Sequence, residues 1–284
     1  MLRVSPRLAI EEVGEGEPLV LLHGIATDRH IWDVVSPLLG LGRRVITVDL
    51  PGFGHSEPAG EKFDLERVAT RIVRGLAAHG IRAPFDLVGH SLGGGVALTL
   101  AVTRPDEVRL LVLVAPAGLR PMSPRLAGIL ASAAGPMIAA RRGASPLTDK
   151  AWGRRLLLTG VVADGSELTP SMARQLVQAS ATASRTAPAL RTIATVDLRP
   201  LLSRLQRPLG VIWGEADQTM PVETLTAIVA ARPDALVARL RDAGHVPMVE
   251  RPASFVEALE WLLVELPSVL NDETTLSGEH RMLP

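Results

Sequence analysis

Short apolar runs alternate along the chain with segments of helical length, and this alternation limits the possible folds more than any other feature. Most of the runs are continuously apolar, as expected of parallel strands that are buried on both faces of a sheet. Such an alternation predicts a mostly parallel sheet covered by helices, with the alternating run LVARL nearer an edge. The predicted strands are Pro18–Leu22, Arg44–Val48, Asp86–Val88, Leu110–Val114, Gly210–Trp213 and Ala235–Leu240. The predicted helices include Asp64–His79, Leu92–Thr103 and Pro252–Leu266.

The alternation of strands and helices stops after Pro116 and resumes near residue 208. The interval is rich in Ala, Leu and Arg and contains no clear strand. We therefore expect several helices to be inserted between two strands, as a cap over one edge of the sheet. The predicted organisation is a core of residues 1–118 and 208–266, a helical cap of residues 119–200, and a polar C-terminal tail of residues 267–284.

Composition excludes several classes of protein. The 284 residues carry 30 basic and 30 acidic side chains, so the basic excess typical of nucleic-acid binders is absent. The chain has no cysteine, which rules out disulfides, thiolate metal sites and a cysteine nucleophile. It also has no metalloprotease, phosphate-loop or dinucleotide-binding motif, and we expect neither a cofactor nor a metal.

The chain contains no predicted membrane span or signal peptide. Its longest uncharged, mostly apolar run is Leu126–Ala140, and these fifteen residues are fewer than the roughly 20 that a spanning helix needs. The N-terminal segment lacks the apolar core of a signal peptide. We expect a cytoplasmic protein; the sequence does not indicate its oligomeric state.

A candidate nucleophile lies in the segment Gly89-His90-Ser91-Leu92-Gly93, which matches the pattern G-x-S-x-G. The segment directly follows the strand FDLVG and directly precedes a helix, which is the context that this pattern requires. The nucleophile of such a turn has strained backbone angles, so its neighbours must be small, as Gly89 and Gly93 are. The pattern in this context predicts that Ser91 is catalytic.

A serine nucleophile needs a base to take its proton and an acid to orient the base. His245 follows the last predicted strand, so its loop opens at the same edge of the sheet as the Ser91 turn, and it is the predicted base. Asp217 follows the strand GVIW and is the predicted acid, with Glu215 and Glu223 as alternatives.

The other histidines fit structural roles better. We expect His90 to point into the scaffold and His23, His30 and His55 to make structural hydrogen bonds.

The reaction also needs two N–H groups to stabilise the oxyanion of the tetrahedral intermediate. The backbone N–H of Leu92, at the start of the helix after the nucleophile, is one candidate. The second is the N–H of Ile25, because Gly24 allows a tight turn after the strand PLVLL, and Ala26 is its nearest competitor.

Five segments together resemble the ordered motif set of the α/β-hydrolase superfamily. They are LLHGIATDRHIW, DLPGFGHS, GHSLGGG, WGEADQTMPV and AGHVPMVERPASFVEALEWL. The resemblance covers roughly residues 18–118 and 208–266, and it is strongest to the cap-bearing bacterial branch of serine esterases, C–C hydrolases and perhydrolases. It implies an α/β-hydrolase fold, with a mostly parallel central sheet flanked by helices and a helical cap inserted before the acid-bearing strand. The chain order Ser, Asp, His agrees with this fold.

Differences between this sequence and other families of the same fold reduce the number of reactions to consider. Epoxide hydrolases and haloalkane dehalogenases of this fold use an aspartate nucleophile, whereas this chain has Ser91. C–C hydrolases typically have Asn before the nucleophile and Trp after the histidine, where this chain has His90 and Val246.

We therefore expect a cofactor-independent serine hydrolase that acts on a small-molecule carboxylic ester or related acyl compound, with no nucleic-acid partner. Rival hypotheses with the same triad are C–C hydrolysis, thioester hydrolysis and acyl transfer, and a non-catalytic binder of a small ligand is another. Residues 119–200 carry eleven basic and four acidic side chains, a net charge of +7 against −7 elsewhere. This charge indicates either a solvated surface or attraction of an anionic or carrier-bound substrate.

Overall fold

The computed structural model describes residues 7–178 and 185–269, and seven strands in these ranges form one sheet. In chain order the strands are β1 Ile10–Val13, β2 Pro18–Leu22, β3 Arg44–Val48, β4 Phe85–His90, β5 Val108–Val114, β6 Leu209–Gly214 and β7 Leu236–Leu240. Their order across the sheet is β1-β3-β2-β4-β5-β6-β7. Strand β1 is antiparallel to β3, and the other neighbouring pairs are parallel. The predicted mostly parallel sheet is confirmed.

Helices cover both faces of this sheet. They are α1 Ser36–Leu39, α2 Leu65–Ala78, α3 Leu92–Thr103, α4 Pro124–Gly143, α5 Ala151–Leu158, α6 Pro170–Gln178, α7 Thr186–Thr195, α8 Arg199–Arg204, α9 Glu223–Ala231, α10 Pro247–Glu250 and α11 Pro252–Val269. Side chains alternate between the faces of each strand, so each strand contributes to two cores. In β2, Val20 and Leu22 join the core under α2, α3 and α9, whereas Leu19 and Leu21 join the core under α11.

The predicted strands are all present, with boundaries that move by no more than two residues. Strand β7 lies at a sheet edge and exposes Arg239, as the alternating sequence predicts. Helix α2 begins after Asp64 because the Asp64 carboxylate accepts a hydrogen bond from the backbone N–H of Arg67 at 2.8 Å. Strand β1 was not predicted, because it has only four residues and two of them are exposed glutamates.

The segment between β5 and β6, residues 115–208, is here called the inserted segment and contains α4 to α8. The inserted segment packs into the cores on both faces of the sheet. Leu157 and Val177 join the core under α11, whereas Ile193 and Leu202 join the core under α3. Helix α4 packs against α6 and α7 and buries only alanines, namely Ala127, Ala131 and Ala134.

The C-terminal end of the described chain is helical. Helix α11 continues through Pro267 to Val269, three residues beyond the predicted boundary of the tail, and residues 270–284 lie outside the described residues. Within the described ranges, no helix has the combined length and apolar character that crossing a bilayer requires.

A buried ion cluster lies at the edge of the sheet where the parallel strands begin. The fully buried Asp86, in β4, accepts hydrogen bonds at 2.7 Å from the side chains of both Arg43 and Arg109. Arg109 also forms an ion pair with Glu17 at 3.0 Å. Two cations therefore compensate the one buried carboxylate.

Candidate active site

The predicted site residues lie on loops at one edge of the sheet. Strands β2, β4, β6 and β7 are parallel, so their carboxyl ends meet at the same edge. The loop with Ile25 follows β2, Ser91 follows β4, Asp217 follows β6 and His245 follows β7.

Backbone strain is concentrated at this edge. The non-glycine residues with positive φ in the described chain are Ala26, Ser91, Ala115 and Asp242, and each follows a strand of the sheet at its carboxyl end. A residue held in such a conformation costs on the order of 1–3 kcal/mol and persists only when its surroundings fix it. Strain of this kind is common at functional sites, and it marks this edge of the sheet.

The turn at Ser91 has the strained geometry that the sequence predicts, with φ 52° and ψ −115°. Hydrogen bonds hold its backbone on both sides. The Ser91 N–H donates to the carbonyl of Val114 at 3.0 Å, and the Ser91 carbonyl accepts from the N–H groups of Gly94 at 3.0 Å and Ala117 at 2.9 Å. The turn is therefore fixed by β5 and by the first turn of α3.

Close approach explains why residue 93, two positions after Ser91, is a glycine. A Cβ atom on Gly93 would lie 2.4 Å from the carbonyl oxygen of His23 and 2.5 Å from that of Leu22, so only glycine fits. A Cβ on Gly24 would lie 3.2 Å from the Ser91 Cβ. The start of α3 and the loop after β2 are thus in direct contact beside Ser91.

The two predicted oxyanion donors lie on these touching segments. Among the described residues, neither the N–H of Ile25 nor that of Leu92 donates a hydrogen bond. Leu92 is buried and Ile25 is half-buried, and unpaired N–H groups are uncommon at such depth. Both groups are therefore available to a ligand.

Asp217 and His245 form a buried pair. The Nδ1 of His245 lies 2.8 Å from Oδ2 of Asp217, and the side chains are 8% and 0% exposed. The other oxygen, Oδ1, accepts hydrogen bonds from the backbone N–H groups of Thr219 at 2.7 Å and Met220 at 2.9 Å. Because a carboxylate can only accept, Nδ1 of His245 carries the proton and Nε2 presents a lone pair.

The described residues include no hydrogen bond between the Ser91 hydroxyl and His245. Catalytic hydrogen bonds are often long before a substrate binds. His90 connects the two residues instead: its Nε2–H donates to the His245 carbonyl at 2.8 Å, and the two rings lie 4.8 Å apart. Burial, and next the neighbouring His245, lower the pKa of His90 well below its ordinary value, so His90 is neutral.

His23 and His30 make the structural contacts that the sequence predicts, whereas the exposed side chain of His55 forms no hydrogen bond among the described residues and its Nδ1 lies 3.8 Å from Oδ2 of Asp49. The Nε2 of His23 accepts from the N–H of Leu50 at 2.9 Å, and its Nδ1 donates to the Gly24 carbonyl at 2.7 Å. Burial lowers the pKa of His23 to about 4. His30 bonds to the exposed Asp33 at 3.2 Å. None of these contacts leads to Ser91.

Neither alternative acid forms a hydrogen bond or an ion pair with His245 among the described residues. Glu215 is exposed, and Glu223 forms an ion pair with Arg120 at 3.4 Å. Of these three carboxylates, Asp217 is the one that contacts His245.

Sequence reasoning missed one residue of this site, Glu250. Its buried carboxylate accepts three backbone hydrogen bonds, from Gly244, Val246 and Ala163, at 2.9, 3.1 and 2.7 Å. Burial raises its pKa, and the three hydrogen bonds oppose this effect. In the sequence it is an ordinary glutamate at the end of a short helix, without a signal of burial.

One group of side chains in the described ranges has the spacing of a metal site. Glu11, His30 and Asp33 place their ligand atoms within 4.8 Å of one another. The two carboxylates are exposed, and Glu11 is already paired with Arg29 at 3.4 Å. We assign no metal to this group.

The strained serine turn and the buried Asp217–His245 pair, at the carboxyl edge of a mostly parallel sheet, are features of hydrolases. The family model described as "alpha/beta hydrolase fold" matches residues 17–252, and the chain belongs to this family. It is a hydrolase of the esterase-like branch.

Two curated relatives and one solved structure illustrate this placement. A pimeloyl-[acyl-carrier protein] methyl ester esterase of Aeromonas hydrophila is 31% identical over 262 residues, which cover 89% of this chain and 98% of the relative. The dihydrolipoyllysine-residue acetyltransferase component of an acetoin cleaving system from Pseudomonas putida is 33% identical over 83% of this chain, which spans 60% of that longer protein. A thermophilic esterase from Thermogutta terrifontis superposes with a TM-score of 0.74 and 26% identity, covering 91% of this chain and 93% of the esterase.

Proposed function

We propose that the protein hydrolyses carboxylic esters without a cofactor, through an acyl-enzyme on Ser91. The Nε2 of His245 takes the Ser91 proton while Oγ attacks the ester carbonyl, and the N–H groups of Ile25 and Leu92 stabilise the oxyanion. Protonated His245 then gives its proton to the leaving alcohol. A water molecule, activated by the same histidine, attacks the acyl-enzyme and releases the acid, while Asp217 keeps the imidazole in the required tautomer.

The observation that carries this proposal is that both carboxylate oxygens of Asp217 accept hydrogen bonds. With Oδ1 occupied by two backbone N–H groups, only Oδ2 remains for the Nδ1–H of His245, at 2.8 Å. This arrangement leaves Nε2 free to act as a base. It supports nucleophilic catalysis better than it supports a passive ligand pocket.

A panel of nitrophenyl esters with a fluorophosphonate probe tests the proposal. We expect ester turnover, and one covalent adduct on the peptide that contains Ser91. Both should vanish in Ser91→Ala, whereas Ser203→Ala, which removes an exposed serine, should leave them unchanged. A folded wild-type protein that neither labels nor turns over any ester would contradict the proposal and favour a binding protein.

The same triad could serve C–C hydrolysis, thioester hydrolysis or acyl transfer. His90 and Val246 occupy the positions where C–C hydrolases typically have Asn and Trp, which favours ester chemistry. Thioesters, vinylogous diketones and alternative acyl acceptors belong in the same panel, and the best substrate by kcat/KM decides among these reactions. The cytoplasmic location stays a prediction.

We further propose that the acyl substrate is anionic or attached to an acidic carrier. Several similar relatives are named as esterases of an acyl-carrier-protein substrate. Among the described residues, Arg125, Arg141 and Arg142 have no ion-pair or hydrogen-bond partner. Helix α4 also exposes large apolar side chains between these arginines, namely Leu126, Ile129, Leu130 and Met137. A basic surface with an apolar centre suits a partner that brings negative charge.

Salt dependence tests the charge proposal. Attraction at a distance acts on encounter and fades with salt, since the screening length is about 10 Å at 0.1 M. We expect kcat/KM for an ester with a free carboxylate to exceed that for its neutral isostere at low salt. The pair Arg141→Glu and Arg142→Glu should reduce this preference, and the matched control pair Arg74→Glu and Arg82→Glu should not. Equal kcat/KM for both esters at low and high salt would contradict the proposal.

A further inference from the structure

The turn between α5 and the 3₁₀ turn at Gly165–Glu167 touches the loops of both the acid and the base. The hydroxyl of Thr219, two residues after Asp217, donates to the Gly160 carbonyl at 2.5 Å. The backbone N–H of His245 donates to the Val161 carbonyl at 3.1 Å. The inserted segment is therefore bonded to both loops of the proposed Asp217–His245 pair.

Glu250 adds a third connection, and it lies inside the protein. Its Oε2 accepts the N–H of Ala163, from the inserted segment, and the N–H of Gly244, from the histidine loop. Its Oε1 accepts the N–H of Val246. One carboxylate thus holds the residues before and after His245 and ties them to the inserted segment.

Packing at Gly244 shows how close these segments are. A Cβ on Gly244 would lie 2.6 Å from the backbone nitrogen of Ala163 and 2.9 Å from the carbonyl carbon of Val162. Val162 itself is 4% exposed and belongs to the core under α11. The histidine loop therefore rests directly on a buried part of the inserted segment.

We propose that Glu250 is a positioning residue for His245, and that through it the turn at residues 158–163 holds the catalytic base in place. The inference rests on the proposed role of His245. Among the described residues, Glu250 makes no hydrogen bond to Ser91 or to the imidazole, so it acts by fixing the two peptide groups that flank the histidine. Misplacement of a catalytic group by about 1 Å can lower a rate by about 100-fold, so a small shift of this loop would be visible in kcat.

The isosteric variant Glu250→Gln is the decisive test. An amide has one accepting oxygen and one donating nitrogen, so the oxygen keeps Gly244 and Ala163 while the NH₂ group faces the N–H of Val246. We expect kcat for a saturating nitrophenyl ester to fall about tenfold and KM to change less than about threefold. Glu250→Ala removes all three acceptors, and kcat should fall about 100-fold. Glu257→Gln, on the exposed side of the following helix, is the matched control and should match the wild type.

A second variant approaches the same turn from the acid. Thr219→Val removes the bond to Gly160 but keeps both backbone bonds to Asp217, and kcat should fall a few-fold with KM unchanged. All rates are compared well below each variant's Tm, together with the rate of fluorophosphonate labelling, which should fall in parallel with kcat. If folded Glu250→Gln and Thr219→Val both keep kcat and labelling within twofold of the wild type, Glu250 has only a structural role and the inference is overturned. A wild-type protein without any labelling would instead overturn the proposed function.

Discussion

The exchange Asp217→Asn tests the orientation of the base most directly. The Asp217 Oδ1 is held by two N–H groups, so an asparagine keeps its oxygen there and turns its NH₂ group toward Nδ1 of His245. Two donors cannot share this contact, and Nδ1 must give up its proton. The proton then sits on Nε2, the atom that we propose accepts the Ser91 proton. In a serine protease this exchange lowers kcat about 10⁴-fold, which corresponds to about 5 kcal/mol in the barrier.

The assay is kcat with a saturating nitrophenyl ester, with the circular dichroism spectrum as the control for folding. Because the side chain keeps its size and two of its hydrogen bonds, we expect Asp217→Asn to stay folded. Glu215→Gln changes an exposed carboxylate two residues away and should alter kcat less than twofold. A loss of less than tenfold in Asp217→Asn, or a larger loss in Glu215→Gln, would refute the assignment of the acid.

Two further predictions concern stability. Asp86→Ala removes the buried carboxylate that accepts hydrogen bonds from Arg43 and Arg109, both partly exposed, so the free energy of unfolding in urea should fall by about 2–3 kcal/mol. The exposed Asp106→Ala should lower it by less than about 0.5 kcal/mol, and equal effects would contradict the cluster's role. Between pH 6.5 and 4 the unfolded chain protonates His23 and the folded chain does not, so His23 should contribute a loss of about 3 kcal/mol in the free energy of unfolding as the pH drops through this range. The slope should be shallower in His23→Gln, and an unchanged slope would show that His23 does not cause it.

The sheet could be predicted from the sequence because most of its strands are buried on both faces. A run such as LLVLV, Leu110–Val114 in β5, is apolar on both sides and stands out without any knowledge of its neighbours. Strand β1, with Glu11 and Glu12 exposed, gives no such signal and forms because it pairs with β3.

The candidate site also has a part that the sequence predicts and a part that only the fold reveals. The positions of Ser91, Asp217 and His245 follow from strands that end at one edge, which a sequence reveals. The partners of these residues come from distant parts of the chain. The Glu250 carboxylate accepts a hydrogen bond from the N–H of Ala163, 87 residues away in the chain, and no local sequence pattern indicates that contact. Sequence could name Glu215 as an alternative acid, but only the geometry separates it from Asp217.

The position of the inserted segment also sets an order of assembly. Strands β1 to β5, with the Ser91 turn, come from the first 114 residues, whereas β6 and β7 follow the inserted segment. Strand β6 can add to β5 only after the whole inserted segment has been made, and His245 arrives later still. Single domains generally fold as units, and a nascent chain that lacks β7 also lacks the proposed base. We expect incomplete chains on the ribosome to be chemically inert, and the enzyme to become active only when its last strand docks.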